Sequence, residues 1–236
     1  FADGKIVMPG DSVVQVSTPE LTGRLEVGVG LAQRGDEVFA IKAGTLRSFR
    51  HPEGLRIWIE SNAKRYIPCV EDMVIGVVID KHADEYRVDI RSSSPGILPG
   101  LAFEGATRRS RPRLEVGAVV FCRVVSALRD MEPELSCTSV TSKKGWMTGG
   151  AVFGELAGGY MFETSLGYAR SLLLPDSPVA CALGAQVAFE MAASANGRVW
   201  VKTSSPAKTI LVVNAILNSE YLPPDQAEVL VTRLAQ

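Results

Sequence analysis

The sequence has little of what disulfide scaffolds and common metal sites need. Of its 236 residues only two are histidines, His51 and His82, which excludes histidine-rich metal sites and the H-E-x-x-H motif of metalloproteases. No two cysteines stand as a C-x-x-C pair, which argues against a zinc ribbon or a disulfide framework. We expect four reduced thiols in the core, at Cys69, Cys122, Cys137 and Cys181.

Long apolar runs and an excess of either charge are also missing. No apolar run approaches the roughly 20 residues that a membrane-spanning helix needs, and no signal-peptide pattern opens the chain. We therefore expect a soluble intracellular protein with no membrane partner. Lysine and arginine total 25 against 26 acidic residues, so the overall charge does not indicate nucleic-acid binding, and any affinity for RNA must come from local clusters.

A series of strand patterns occupies the middle of the chain. β-branched residues dominate residues 74–79, and apolar and charged residues alternate over 86–91, beyond a polar turn at 80–85. Five short strands within about 75 residues are typical of an OB-type barrel, which presents one sheet face to single-stranded nucleic acid. Both faces of 74–79 are apolar, so we expect one to fill the barrel and the other to pack against a neighbouring domain or subunit. The predicted strands are 74–79, 86–91, 97–103, 118–126 and 133–139.

The chain divides into three predicted modules. Residues 1–65 are expected to form a small β domain with strands at 13–16, 25–28, 38–42 and 55–60. Within it, Gly28-Val29-Gly30 is interpreted as a strand end rather than a phosphate loop, because no helix pattern follows. Residues 66–142 form the OB-type module. The linker Ser142-Lys143-Lys144-Gly145 then leads to a third module at residues 146–236.

The third module mixes strands with helices. A helix predicted at 165–174 precedes strands at 187–193 and 198–202, which meet at an Asn196-Gly197 turn. Ser205 then caps a helix with Pro206 at its first position, apolar nearly all round and therefore expected to be deeply buried. A last helix starts near Pro224. This order resembles a KH domain, so the predicted fold class is mainly β with an α+β C-terminal part.

Short motifs at three separated places carry a resemblance to one family. They are Met-Pro-Gly-Asp at 8–11 with Lys-Ala-Gly at 42–44, Arg-Tyr-Ile-Pro at 65–68 with Asp72 and Gly76, and Ala-Asn-Gly-Arg-Val-Trp-Val at 195–201. In this order and spacing they resemble the cap subunits of the eukaryotic RNA exosome known as exosome component three or ribosomal RNA-processing protein forty. Residues 66–142 resemble the ribosomal-S-one type of RNA-binding domain, abbreviated S1.

The resemblance implies a non-catalytic subunit that binds RNA and needs no cofactor. It implies as partners a ring of RNase-PH-like subunits, which the cap subunit stabilises, and other cap subunits beside it. RNA would be guided into the ring for 3′-to-5′ degradation and ribosomal RNA processing, in nucleus, nucleolus and cytoplasm. Two alternatives stay open from the residues alone: a free-standing RNA-binding protein of translation or ribosome assembly, and an enzyme with an unrecognised hydrolytic site.

The KH-like module lacks the G-x-x-G loop with which KH domains clamp nucleotides. The corresponding residues 172–178 carry two prolines and an acid in place of the glycines, so we expect no usual KH grip on RNA. By resemblance, the segment Ser194-Ala195-Asn196-Gly197 packs this module onto the barrel, with Ser194 departing from the family's glycine. A direct RNA contact by Asn196-Gly197 is the alternative.

The strongest RNA-binding candidate is a loop with four arginines in six residues, between the third and fourth barrel strands. Arginine pairs bidentately with phosphate and stacks on bases, so this loop suits sequence-independent RNA binding. A solvated loop and a dock for an acidic partner subunit are the alternatives. Other candidates lie along the barrel, with Tyr86 as either a stacking ring or a core residue. The predicted RNA-binding residues are Lys81, His82, Tyr86, Arg87, Arg91, Arg108, Arg109, Arg111 and Arg113.

The acidic residues give no indication of a nuclease. Paired metal ions need clustered carboxylates, and Asp80, Asp84 and Glu85 sit in a hairpin turn where acids are ordinary solubilising residues. No other acidic pair falls on a shared strand face beside a basic cleft. We therefore expect no catalytic residue, no metal site and no enzymatic activity.

Overall fold

A computed structural model of the chain describes residues 4–16, 23–52, 54–128, 130–139, 152–174 and 177–234. They fall in two compact units, Phe1–Asn62 and Ala63–Gln236. Across these ranges, no helix is both long and apolar enough to cross a membrane. The predicted linker at 142–145 lies outside the described residues.

The described residues of the first unit form seven strands in two small sheets. One sheet has the order β1-β6-β7-β3 and the other β2-β5-β4. The apolar sides of both sheets form one core that includes Val38, Ile57 and Ile59. The strands are β1 (Ile6–Val7), β2 (Ser12–Gln15), β3 (Arg24–Val27), β4 (Leu31–Arg34), β5 (Glu37–Ala40), β6 (Gly44–His51) and β7 (Gly54–Glu60).

The glycine pair of the first unit ends a strand, as predicted. Strand β3 stops at Val27, and Gly30 turns the chain with a φ of +87°, a left-handed conformation that favours glycine. The segment that follows is strand β4 rather than a helix, so the phosphate-loop alternative is excluded. Strands β1, β4 and β6 were not predicted from the sequence.

The second unit begins with a closed five-stranded barrel, which confirms the OB-type prediction. Neighbouring strands follow the order β12-β10-β9-β8-β11, and β12 also pairs with β11, which closes the sheet on itself. Val74, Val78 and Val88 fill its interior. The strands are β8 (Met73–Lys81), β9 (Glu85–Asp89), β10 (Gly96–Pro99), β11 (Val119–Ser126) and β12 (Glu134–Ser136), with the short β13 (Gly154–Glu155) added beside β11.

Two features of the barrel follow from single residues. A Cβ on Gly76 would lie 2.1 Å from Cγ1 of Val88, so only glycine lets β8 and β9 approach this closely. Strand β10 ends at Pro99, short of the predicted residue 103, because proline has no N–H for the ladder. Beyond it, Phe103 makes only an isolated bridge to Cys137.

The rest of the second unit, residues 160–234, has the element order of a KH domain and is called the KH module below. Its sheet has the order β14-β16-β15, and Leu183, Val199 and Ile216 form part of the core between sheet and helices. The elements are β14 (Tyr160–Glu163), α1 (Leu166–Leu172), α2 (Pro178–Gln186), β15 (Phe189–Ala193), β16 (Arg198–Thr203), α3 (Pro206–Ser219) and α4 (Pro224–Leu234).

Helix α3 begins as predicted but is buried on one side only. The Ser205 hydroxyl accepts a hydrogen bond from the Lys208 N–H, and Pro206 occupies the first turn. Val212 and Ile216 are buried, whereas Ile210 is 61% exposed. The prediction of burial all round was wrong because α3 packs on the sheet and helices through one face.

Candidate nucleic-acid interface

The arginine loop, residues 107–113, is held at its base by the barrel. Its first turn is closed by two backbone hydrogen bonds between Thr107 and Ser110. The Tyr86 hydroxyl donates to the Pro112 carbonyl oxygen at 3.0 Å and accepts from the Leu114 N–H at 3.4 Å. Tyr86 is 5% exposed, so its ring lies in the core and its polar tip fixes the loop.

Arg111 joins the arginine loop to the hairpin turn between β8 and β9. Its Nη2 donates to the Ala83 carbonyl oxygen at 2.8 Å, and its Nη1 lies 3.1 Å from Oδ1 of Asp84. The guanidinium is therefore occupied by the hairpin turn. Within the described ranges, the other three arginines of the loop are exposed and form no ion pair: Arg108, Arg109 and Arg113.

The hairpin turn and the arginine loop enclose an open cleft of about 720 Å³. Its wall combines two carboxylates, two guanidinium groups and an apolar patch, and Leu101 in that patch is 48% exposed. Such a mixed cleft can hold a ligand that has both a charged and an apolar part. The lining residues are Asp84, Glu85, Pro99, Leu101, Arg108 and Arg111.

The remaining predicted RNA-binding residues are engaged by acids or carbonyl groups. Lys81 lies 3.5 Å from Glu115, and His82 lies 3.5 Å from Asp80 in the exposed hairpin turn. Arg87 pairs with Glu132 at 3.1 Å. Their contribution to RNA binding stays a prediction, and the structure brings only the hairpin turn together with the arginine loop.

Arg91 contacts the KH module. It has a φ of +61°, a conformation uncommon for a residue with a side chain. Its Nη1 lies 3.3 Å from the carbonyl oxygens of both Thr164 and Gly197, and its Nε lies 3.7 Å from Glu163. The side chain thus links the end of β9 to two loops of the KH module.

Asn196 inserts into the barrel wall. It is completely buried, and its Nδ2 donates to the carbonyl oxygens of Ile75 at 2.8 Å and Ile90 at 3.0 Å. The neighbouring Ala195 N–H donates to the Met73 carbonyl oxygen, and Ser194 Oγ donates to that of Arg198 at 2.6 Å. Strand β8 thus contacts this module at Met73 and Ile75, where Ile75 is fully buried, whereas Ile79 on the same predicted apolar face is 48% exposed.

Arg198 forms a second link across the same boundary. Its side chain is 5% exposed, and its Nη2 lies 2.5 Å from Oδ2 of Asp89 on β9. Burial alone would raise the pKa of Asp89, but hydrogen bonds from Arg198 and from the Arg91 N–H, with the charges of both arginines, lower it. The role of Arg198 was not predicted from the sequence. The pattern that could have indicated it is a charged residue directly after Asn196-Gly197, at the start of an otherwise apolar run.

Two of the four free cysteines are buried and two are exposed. Burial raises the pKa of Cys122 to about 12 and raises that of Cys137 well above its usual value, so both are inert core thiols. Cys69 and Cys181 are exposed, which corrects the prediction for them. Cys69 lies in the segment before β8, and Cys181 lies on the outward side of α2. In the described part of the chain, no group of three or more potential metal ligands comes together.

Comparison with known proteins agrees with both modules of the second unit. The family model for the S1 domain of exosome complex component RRP40 matches residues 66–148, and a KH domain model matches residues 159–207. The chain is also similar to a solved structure provisionally described as an exosome complex RNA-binding protein, with a TM-score of 0.59 over 72% of this chain and 97% of the other. At 18% identity this likeness concerns the fold alone.

Relatives from several organisms match most of the chain. A Dictyostelium discoideum protein provisionally named exosome complex component rrp40 is 43% identical over 224 residues, which cover 95% of this chain and 90% of the relative. Exosome complex component rrp40 of Schizosaccharomyces pombe is 42% identical over 210 residues, with 86% and 84% covered. Identity at this level over most of both sequences shows that the chain belongs to the family of exosome complex component RRP40.

Proposed function

We propose that this protein is a non-catalytic, RNA-binding cap subunit of the RNA exosome. The names of its relatives, together with its S1 and KH domains, support this assignment. Its partners would be a ring of RNase-PH-like subunits, which it stabilises, and the other cap subunits. It would guide RNA toward 3′-to-5′ degradation and ribosomal RNA processing, in nucleus, nucleolus and cytoplasm.

The observation that carries RNA binding is the arrangement of charge on the arginine loop. Arg111 fixes the loop to the hairpin turn, while Arg108, Arg109 and Arg113 project with no acidic partner in the described part of the chain. Unpaired guanidinium groups on a fixed loop bind phosphates and release counterions without reading sequence. This suits a subunit that passes varied RNAs along.

The joint between barrel and KH module supports the structural side of the proposal. Hydrogen bonds and ion pairs cross this joint from three side chains, those of Asn196, Arg198 and Arg91. Trp200 of the KH module is buried in the same hydrophobic cluster as the barrel core. The two modules therefore form one packed body, which can hold neighbouring subunits at fixed positions.

Purification of a tagged copy from cells, followed by mass spectrometry, tests the assembly. Ring subunits of the RNase-PH type in roughly equal amounts would support the proposal. Ribosomal proteins in their place would favour a free-standing RNA-binding protein of translation or ribosome assembly. Ribonuclease treatment of the lysate before purification separates RNA-mediated from direct association, because only direct contacts survive the loss of RNA.

A ribonuclease assay tests the non-catalytic part of the proposal. The purified chain is expected not to shorten RNA with or without magnesium or phosphate. Asp80 is bound to His82 and Asp84 to Arg111, so these acids already have partners in the hairpin turn. Turnover that survives repurification and disappears when Asp80, Asp84 and Glu85 are changed together to alanine would overturn it.

A further inference from the structure

The cleft beside the arginine loop contains acids that phosphate binding does not explain. Phosphate oxygens only accept hydrogen bonds, and so does an ionised carboxylate, so Asp84 and Glu85 repel the phosphates of an RNA strand. Asp84 is neutralised in part by Arg111, at 3.1 Å. Glu85 is partly buried, and its carboxylate has no hydrogen-bond or ion-pair partner among the described residues, although its main-chain carbonyl oxygen accepts from the His82 N–H at 2.9 Å. Both oxygens of the Glu85 carboxylate are therefore available to a ligand, whereas Arg111 occupies one oxygen of Asp84.

RNA offers a carboxylate two kinds of donor: the ribose 2′-hydroxyl, which every nucleotide carries, and the N–H groups of the bases, which differ from one base to the next. Guanine presents an imino N–H and an amino group side by side, so it can bind both oxygens of one carboxylate at once. Adenine and cytosine each present a single amino group. Uracil presents one N–H between two carbonyl oxygens. The negative charge of a carboxylate repels these oxygens, so uracil is bound least well. Glu85 would therefore distinguish one base from another, which contacts to phosphates cannot do.

The other walls of the cleft suit a base held in this way. Pro99 and Leu101 supply apolar surface at the end of β10, against which the flat face of an unstacked base can lie. Arg108 borders the same cleft and has no acidic partner among the described residues, so it can meet the phosphate of the same nucleotide. The volume of about 720 Å³ admits a nucleotide.

We propose that this cleft is a nucleobase subsite in which the Glu85 carboxylate reads the Watson–Crick edge of one base, favouring guanine most and uracil least. The inference rests on the proposed RNA-binding function, since it concerns one nucleotide of the strand that the arginine loop holds. The arginines supply affinity for any RNA, and Glu85 adds a modest preference to it.

The test uses the full chain and four short labelled oligouridylates that differ only in their central nucleotide. In fluorescence anisotropy titrations, the oligomer with central guanosine should bind about fivefold more tightly than the all-uridine one, with adenosine and cytidine between them. Glu85→Gln should bring the four affinities together, because glutamine has one acceptor oxygen in place of the two that guanine binds. Glu104→Gln removes the same charge outside the cleft and should keep the order of preference.

The outcomes separate this inference from the proposed function. Four equal affinities with a retained salt dependence would overturn the base-reading cleft and leave RNA binding by the arginine loop in place. A guanosine preference that survives Glu85→Gln would also overturn it, because another group would then read the base. If the unaltered chain bound none of the oligomers, both the base-reading cleft and the proposed RNA-binding function would be wrong. Melting temperatures of the two variants show that each is folded.

Discussion

Arg198 of the KH module and Asp89 of the barrel form an ion pair, with Nη2 of the arginine 2.5 Å from Oδ2 of the aspartate. The same guanidinium lies near the main-chain carbonyl oxygens of Asp89 and Ile75. The arginine side chain is 5% exposed and the aspartate 44%, so water reaches only the acidic end of the pair.

Changing Arg198 to methionine should destabilise the second unit by about 2–4 kcal/mol, because the carbonyl oxygen and Oδ2 of Asp89 lose this donor, while the Ile75 carbonyl oxygen keeps its hydrogen bond from Asn196. Urea denaturation of the full chain measures this. Arg87→Met is the matched control: its ion pair with Glu132 is 38% and 33% exposed, so the loss should stay below about 1 kcal/mol. Equal losses in both variants would contradict the special role of Arg198.

The stability of the chain should fall in acid partly through Asp89. Its native pKa is lowered, so the stabilisation is present above the unfolded-state value of about 4 and is lost as the pH falls through the native pKa. Asp89→Asn should therefore be less stable than the unaltered chain near neutral pH, with the difference shrinking in acid. Denaturation series at several pH values test this, and a difference independent of pH would refute it.

Changing Gly197 to alanine should cost about 2 kcal/mol or more. Gly197 has a φ of +79°, and an added Cβ would lie 2.8 Å from the Thr164 carbonyl oxygen and 2.9 Å from Nη1 of Arg91. Gly158→Ala is the control, with a φ of +74° but no atom nearer than 3.6 Å, so it should show the conformational penalty alone. The fraction of Gly197→Ala protein that stays folded should bind RNA with normal affinity. A variant with a normal melting temperature and a lost RNA affinity would show that this turn contacts RNA directly.

Alanine at Arg108, Arg109 and Arg113 together should weaken binding to different RNAs alike. The slope of log affinity against log salt should fall by up to about 2, because each phosphate contact on a single strand contributes about 0.7. Lys208→Ala, an exposed cation at the start of α3, should change the slope little. Unchanged RNA binding together with lost association with ring subunits would assign the loop to protein docking.

The elements that the sequence predicted are those whose local pattern agrees with their packing. Strands β8, β9 and β11 carry β-branched or alternating residues, and α3 carries a serine cap followed by proline. Strand β6 was missed because only Leu46 of its eight residues is buried, which leaves no apolar alternation. Helix α2 was missed because its nine residues include no charge and so show no polar side.

The candidate site was predictable as composition but not as geometry. Four arginines in six residues identify the loop, whereas the contact of Arg111 with Asp84 spans 27 positions and depends on how the barrel closes. Tyr86 likewise reaches Pro112 across 26 positions, which only the folded barrel brings together. The contact of Arg91 with the KH module was also not predictable, because it depends on where β9 ends in the folded barrel.

The links from Asn196 into the barrel have a consequence for evolution. Its amide binds the carbonyl oxygens of Ile75 and Ile90, and every residue type supplies a carbonyl oxygen at those positions. Isoleucine can therefore drift to another residue of similar volume at either position without removing an acceptor, whereas replacing Asn196 removes both bonds at once. Selection should therefore act more strongly on Asn196 than on the two barrel residues whose carbonyl oxygens it binds, so that these two vary while the asparagine is retained.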